Sequence, residues 1–219
     1  MSAPAPPAPA PKPGRVKVFR ALYDYSARSD AEMSFAEGDI IYVTDAAIAN
    51  GDWLPARCGK SRGLVPANYV ESENVEQLAN PLHEAAKRGN TQFLQECLEN
   101  EVSVNSLDRS GSTALYWASH GGHDSIVSLL LSIPNISLSS QNKIGDTALH
   151  AAAWRGHAKC VQLLLEAGAN PTVRNQQRRL PVDEAKDSET VALLQAAARA
   201  ATQNEAAPNE YASDSEEDS

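Results

Sequence analysis

Residues 148–157 read ALHAAAWRGH, and close versions of that phrase stand earlier: PLHEAAKRGN at 81–90 and ALYWASHGGH at 114–123. A fainter copy, PVDEAKDSE, begins at Pro181. The shared apolar position is Leu82, Leu115, Leu149 and Val182, at spacings of 33, 34 and 33. Gly89, Gly122 and Gly156 keep the same register. So does a second apolar cluster: Leu94/Cys97/Leu98, Val127/Leu130/Leu131 and Val161/Leu164/Leu165. A fixed period of this length over several copies means stacked helix pairs, because one such unit cannot bury its apolar face alone. Residues 78–200 therefore read as an all-α solenoid, with copies at about 78–111, 112–145 and 146–178 and a partial capping copy at 179–200.

Upstream the pattern changes. Residues 16–72 hold short β-branched and aromatic runs such as VKVFRALYDY and DIIYVT, broken by Gly and Pro, which predict short strands closed into a small all-β barrel. Only a few residues link Val70 to Leu78, so barrel and first helix pair are expected to touch. Residues 1–15 form a Pro/Ala-rich arm that favours polyproline II and has nothing to bury. Residues 203–219 carry six acids and no base, and a disordered acidic tail is expected there.

Charge and cysteine usage narrow the function. The 219-residue chain has a formal charge of −9, but residues 16–72 hold 6 basic and 8 acidic groups and residues 73–202 hold 11 and 14. No clustered basic surface of the kind nucleic acid needs is present, and no apolar run approaches the roughly 18 residues that span a bilayer. No secretory signal is legible at the N-terminus. Cys58, Cys97 and Cys160 are odd in number and far apart, so neither a disulfide framework nor a metal site is expected. A reduced, cytoplasmic setting follows. No phosphate loop, nucleophile elbow or zinc spacing is found, so no catalytic residue, cofactor or metal is expected. His83 and His150 sit in repeat register and are expected to bond between neighbouring copies. His120 and His157, near turns, are expected to be solvated. Trp117 and Trp154 are out of register with each other, at a separation of 37, and core packing is expected for both.

The repeats resemble the ankyrin family. Gly111-Ser112-Thr113-Ala114-Leu115-Tyr116-Trp117-Ala118 and Gly145-Asp146-Thr147-Ala148-Leu149-His150-Ala151-Ala152 follow its Gly-x-Thr-Pro-Leu-His-x-Ala pattern, and Asn80-Pro81-Leu82-His83-Glu84-Ala85 enters the first copy. Thr113 and Thr147 are placed to cap the first helix of a pair, and Asp108 and Asn142 suit the hairpin turns. The last copy departs: Arg178 stands at the hairpin glycine, and the helix pair after Pro181 looks shortened, as a terminal cap requires. The resemblance implies a surface that binds another protein.

The barrel resembles an SH3 domain. The landmarks are Ala21-Leu22-Tyr23-Asp24-Tyr25, Ala31-Glu32-Met33-Ser34-Phe35, Glu37-Gly38-Asp39, Trp53, and Gly63-Leu64-Val65-Pro66-Ala67-Asn68-Tyr69-Val70. The resemblance implies a groove for proline-rich PxxP segments, with Tyr23, Tyr25, Trp53, Pro66 and Tyr69 as its ridges. Asn68 adds a hydrogen bond, and Glu32 is the acid that meets a ligand Arg or Lys, with Asp30 and Asp52 near enough to share the role. A preformed polyproline II ligand loses little entropy on binding, and flat aromatic rings with a polar edge suit its proline faces. The family's second Trp is replaced by Leu54, which should leave the groove intact. The arm lacks the leading proline of a Pro-x-x-Pro-x-Arg ligand before Arg15, so it is read as a plain flexible arm. The two modules together imply a monomeric intracellular signalling adaptor. It would join proline-rich signalling proteins to a second protein, without nucleic acid or membrane insertion. The alternatives are a structural spacer with a dead groove and an enzyme lacking any known motif. Ser213 and Ser215, each with an acid at +3, resemble acidophilic kinase sites in the tail.

Overall fold

A computed structural model describes residues 16–44 and 52–205. The Pro/Ala-rich arm, Ser213 and Ser215 lie outside the described residues. Those described fall into two compact units, one ending at Asp108 and the other starting at Arg109.

The first unit opens with strands β1 (Val16–Ala21), β2 (Ile40–Thr44), β3 (Trp53–Cys58) and β4 (Ser61–Pro66), a single helical turn α1 (Ala67–Val70), and strand β5 (Val75–Leu78). They form one sheet in the order β4-β3-β2-β1-β5, each neighbouring pair antiparallel. A parallel bridge between Glu32 and Leu64 ties the long loop after β1 to the far edge. The period of two sorts the side chains. Phe19, Ala21, Ile41 and Val43 point inward to join Met33, Phe35, Ala56, Val65 and Val70 in the barrel core.

The alternate positions explain the link. Val18 and Tyr42 pair in register and are also buried, although neither belongs to the barrel core. The first helix pair, α2 (Pro81–Arg88) and α3 (Thr91–Glu99), provides the cover: the Tyr42 hydroxyl lies 3.8 Å from the Cys97 Sγ. The segment read as a link is itself a strand, since β5 pairs with β1 from Val18↔Leu78 to Ala21↔Val75. The chain has no slack between barrel and helices.

The second unit holds α4 (Ala114–Gly121), α5 (Asp124–Leu131), α6 (Ala148–Arg155), α7 (Ala158–Glu166), α8 (Pro181–Glu184) and α9 (Ser188–Glu205). Equivalent helices stack, α4 on α6 on α8 and α5 on α7 on α9. Leu115, Leu149, Leu130 and Leu164 are buried between the layers; each contributes about 1.5–3 kcal/mol by leaving water. The Thr113 hydroxyl accepts from Tyr116 N at 3.2 Å, as an N-cap should. Helices α2, α4 and α6 end at Gly89, Gly122 and Gly156, all left-handed.

The hairpins between helix pairs also stack. Lys143 N donates to Ser110 O, and Gln176 N donates to Ile144 O. That closeness demands glycine at position 145, where φ is +82° and a Cβ would stand 2.6 Å from Gln176 N. Arg178, the equivalent residue of the last hairpin, is also left-handed at φ 62°. There Asn175 Oδ1 accepts from Gln177 N and Arg179 N, as Asn142 Oδ1 accepts from Ile144 N and Asp146 N one copy earlier. The last copy is only half shortened. Its first helix, α8, has 4 residues, but α9, which packs on α7, has 18 and continues past residue 200.

Two expectations on the histidines and tryptophans separate here. His150 is buried and bonds between copies: Nδ1 accepts from Thr147 N at 3.2 Å, which leaves Nε2 to donate to Arg179 O at 3.2 Å. His120 and His157 are half-buried, and each has a partner in the repeats. The His157 Nε2 lies 3.2 Å from His120 O, and the His120 ring stacks on Trp154. Trp154 is not in the core: it is 41% exposed, because it lies at the end of α6 beyond the residues facing the next layer.

Candidate peptide-binding groove

Strand β3 starts at Trp53, opposite Pro66 at the end of β4, and Ala67 N donates to Asp52 O at 2.8 Å. Those contacts set α1 beside Trp53 and present Asn68 and Tyr69 on the same surface. Opposite, the loop after β1 folds back through paired bonds between Tyr25 and Phe35. Tyr25 stacks on Phe35 at 5.3 Å and meets Tyr69 edge-on at 5.4 Å. Together they border an open cleft of about 510 Å³.

Six of the eight residues named from the sequence line that cleft: Tyr25, Asp52, Trp53, Pro66, Asn68 and Tyr69. The other two act from beside it. Tyr23 is 62% exposed, and its carbonyl accepts from the Tyr69 hydroxyl at 2.7 Å. The Glu32 carboxylate holds the loop: Oε2 accepts from the Tyr25 hydroxyl at 2.8 Å and from Arg28 N at 2.9 Å, and Oε1 from the Ser29 hydroxyl at 3.1 Å. The Arg28 amide above all, with the two hydroxyls, holds this carboxyl below the usual range. Burial, and then the bond to Glu32, pushes the Tyr25 phenol up. Burial, followed by the charge of Asp24, does the same to Tyr69. Both phenols are thus neutral at physiological pH.

Arg28, Glu71 and Asn74 also line the cleft and were not read from the sequence. Arg28 lies four residues before Glu32 and Glu71 two after Tyr69, so both were within reach of the motifs, yet neither residue type is demanded by them. Among the described residues, Asp52, Glu71 and the Arg28 guanidinium have no ion-pair partner in the protein. Leu54, where the family carries a second Trp, packs against the barrel core instead of entering the cleft.

Comparison with known proteins bears on both modules. A model described as a variant SH3 domain matches residues 21–71, and an ankyrin-repeat model of three copies matches residues 64–141 and 82–175. Osteoclast-stimulating factor 1 of Bos taurus is 57% identical over 194 residues, covering 89% of this chain and 88% of its own. The chain belongs to the osteoclast-stimulating factor 1 family. Its chicken (Gallus gallus) relative is 55% identical, with 89% of this chain and 94% of the relative covered. The zebrafish (Danio rerio) relative is 52% identical, with 89% and 88% covered. This family joins an SH3 barrel to ankyrin repeats, both protein-interaction modules.

Among the described residues no cluster of His, Cys, Asp or Glu is placed to hold a metal ion, and no helix is long and apolar enough to cross a membrane. Burial pushes the Cys58 thiol up to about 11 and Cys97 up to about 12, and it raises Cys160 as well. Thiols so placed are protonated at neutral pH, the opposite of an activated nucleophile.

Proposed function

We propose that the chain is an intracellular signalling adaptor whose groove grips proline-rich PxxP segments while its repeats hold a second protein. Its relatives are named for stimulating osteoclasts. On this reading the chain promotes osteoclast formation and bone resorption indirectly, through signalling and without catalysis. It works as a cytoplasmic monomer, with Ser213 and Ser215 as phosphorylation sites in the tail.

One observation carries the reading: Trp53 stands 41% exposed beside Pro66, facing two tyrosines whose hydroxyls are tied back to the protein. A Trp left so open in a barrel this small adds nothing to the core, and aromatic residues of this kind are the usual anchors of protein interfaces. Tyr23, Tyr25, Trp53, Pro66 and Tyr69 form the ridges, Asn68 donates to ligand carbonyls, and Asp52 and Glu32 meet the ligand's Arg or Lys. Asp52 takes the larger share, since Glu32 already accepts three bonds. Such rim charges set ligand direction and on-rate more than affinity.

The test is calorimetric titration of the full chain with a proline-rich peptide bearing one terminal Arg. Binding is expected, and Trp53→Lys is expected to remove it while the far-ultraviolet circular dichroism stays unchanged. Absence of binding in the wild-type chain, or equal binding in the variant, would leave a spacer with an idle groove.

A further inference from the structure

The cleft beside Trp53 carries charges of both signs, and its acids alone were legible in the sequence. Asp52 stands directly before Trp53 at the start of β3, and Glu71 follows α1. From the loop after β1 comes Arg28, the one cation among the described residues that line the cleft. None of the three has an opposite charge at ion-pair distance among the described residues, and Asp30, two residues beyond Arg28, does not pair with it either.

The loop fixes where this cation stands. Ala27 N donates to the Ser34 hydroxyl at 2.8 Å, and Arg28 N donates to Glu32 Oε2 at 2.9 Å. Glu32 N donates to Ser29 O at 3.1 Å and closes the turn. Glu32 is the nearest acid on the turn, but its two oxygens already accept from the Tyr25 hydroxyl, the Arg28 amide and the Ser29 hydroxyl. It holds the backbone of Arg28 and leaves the guanidinium to the cleft. Burial first, then the bond to Glu32 and its charge, raise the Tyr25 phenol, and the charge of Arg28 acts the other way, which sets the guanidinium near that ring. A planar fork of donors that never loses its charge, mounted on a fixed loop without a carboxylate, matches a carboxylate that a ligand brings.

A polyproline II ligand has three residues per turn, so consecutive side chains point about 120° apart. When one residue turns toward Asp52, its neighbour in sequence turns away from β3, toward the loop that carries Arg28. Resting on the reading of this cleft as a proline-rich groove, we propose that Arg28 determines its specificity: the groove selects segments whose Arg or Lys adjoins a Glu or Asp, the base meeting Asp52 and the acid meeting Arg28. A ligand with a run of bases sets a like charge against Arg28 and is disfavoured. The chain carries a net charge of −9, so its long-range field favours basic ligands. A preference for an added acid therefore has to come from a local cation.

The test is a double-substitution cycle by calorimetry on the full chain. Two proline-rich peptides end in Arg and differ only in the residue before it, Glu in one and Gln in the other; a mirrored pair carries that residue after the Arg. Wild type is expected to bind the Glu peptide of one pair about threefold more tightly than its Gln partner, the scale of an exposed ion pair. The gain should vanish in about 0.5 M salt. In Arg28→Gln the ratio is expected to fall to unity or below, and Arg28→Glu should prefer Lys to Gln at that place in the peptide. Each comparison is a ratio within one protein, so a change in overall affinity cancels. Equal binding of Glu and Gln peptides by wild type, or a preference that persists in Arg28→Gln, would overturn the role of Arg28 and leave the groove standing. Binding of none of the peptides would remove the groove itself, and this proposal with it.

Discussion

The barrel and the repeats each expose a tryptophan to the same extent, 41%, yet the two rings stand in opposite surroundings. Trp53 sits at the mouth of a strand between Asp52 and Leu54, with Glu71 on the same cleft and Arg28 as its cation. Its neighbouring tyrosines are fixed by hydrogen bonds to Glu32 and to the Tyr23 carbonyl. Trp154 ends a helix under Lys186 and Arg155, on a cleft that Asp146 and Glu184 also line. Exposure alone does not say what a tryptophan meets. The groups around it differ: acids and tyrosines border the cleft at Trp53, whereas two cations lie over the Trp154 ring.

The largest expected effect separates what holds each region together from what it shows to solvent. Leu149→Ala, in the repeat interior, should lower the unfolding free energy by about 2–5 kcal/mol in denaturant melts, as buried leucine truncations do. Trp154→Ala, five residues later, should stay within about 1 kcal/mol of wild type. A large loss from the second would mean that Trp154 is core after all and would dissolve the comparison.

Next is the ligand side. Trp53→Lys should weaken a proline-rich peptide by about 2 kcal/mol or more, the scale of an interface anchor, while Trp154→Lys leaves that affinity unchanged. Equal losses from both would show one shared surface, or a general unfolding, in place of two separate ones. Tyr69→Phe removes the hydroxyl donated to the Tyr23 carbonyl, and calorimetry should show a loss of about 0.5–1.5 kcal/mol in peptide binding.

The smallest effects are in pH, and the two regions should answer at different acidities. Glu32 is depressed below 4.5, so the folded state favours its ionised form. Its contribution is whole above pH 4.5 and fades as pH falls through the folded value. His150 and His120 are depressed below 6.5, chiefly by burial, so the folded state favours their neutral forms. Their contribution is whole above pH 6.5 and fades below it. On acidification, amide exchange corrected for its intrinsic rate should rise first in α4 and α6, and only below pH 4.5 in the loop around Glu32. His150→Gln should flatten the first response and Glu32→Gln the second.

These contrasts also show where the sequence was informative. The period of 33 and 34 residues foretold the stacked helix pairs, because each copy must repeat the residues that meet its neighbours. Six residues of the cleft beside Trp53 were named from the sequence for a related reason, since the motifs put them at fixed places on strand ends and the turn after β4. What escaped was set by geometry rather than residue type. Arg28 and Glu71 reach the cleft through the path of their loops. The burial of Tyr42 comes from a helix 55 residues away. Trp154 reads as a core residue in ALHAAAWRGH, and only the end of its helix at Gly156 decides otherwise. Likewise no periodicity reveals that α9 is twice as long as α7.

The central claim is that ligands meet the barrel at Trp53. The most direct test is an NMR titration of the full chain with a proline-rich, arginine-ended peptide, following the Trp indole N–H signals and the amides of Asp52, Asn68 and Tyr69. The account predicts saturable shifts at Trp53 and those three residues, with Trp117 and Trp154 still. Shifts confined to the repeats, or none at Trp53 at saturating peptide, would contradict it.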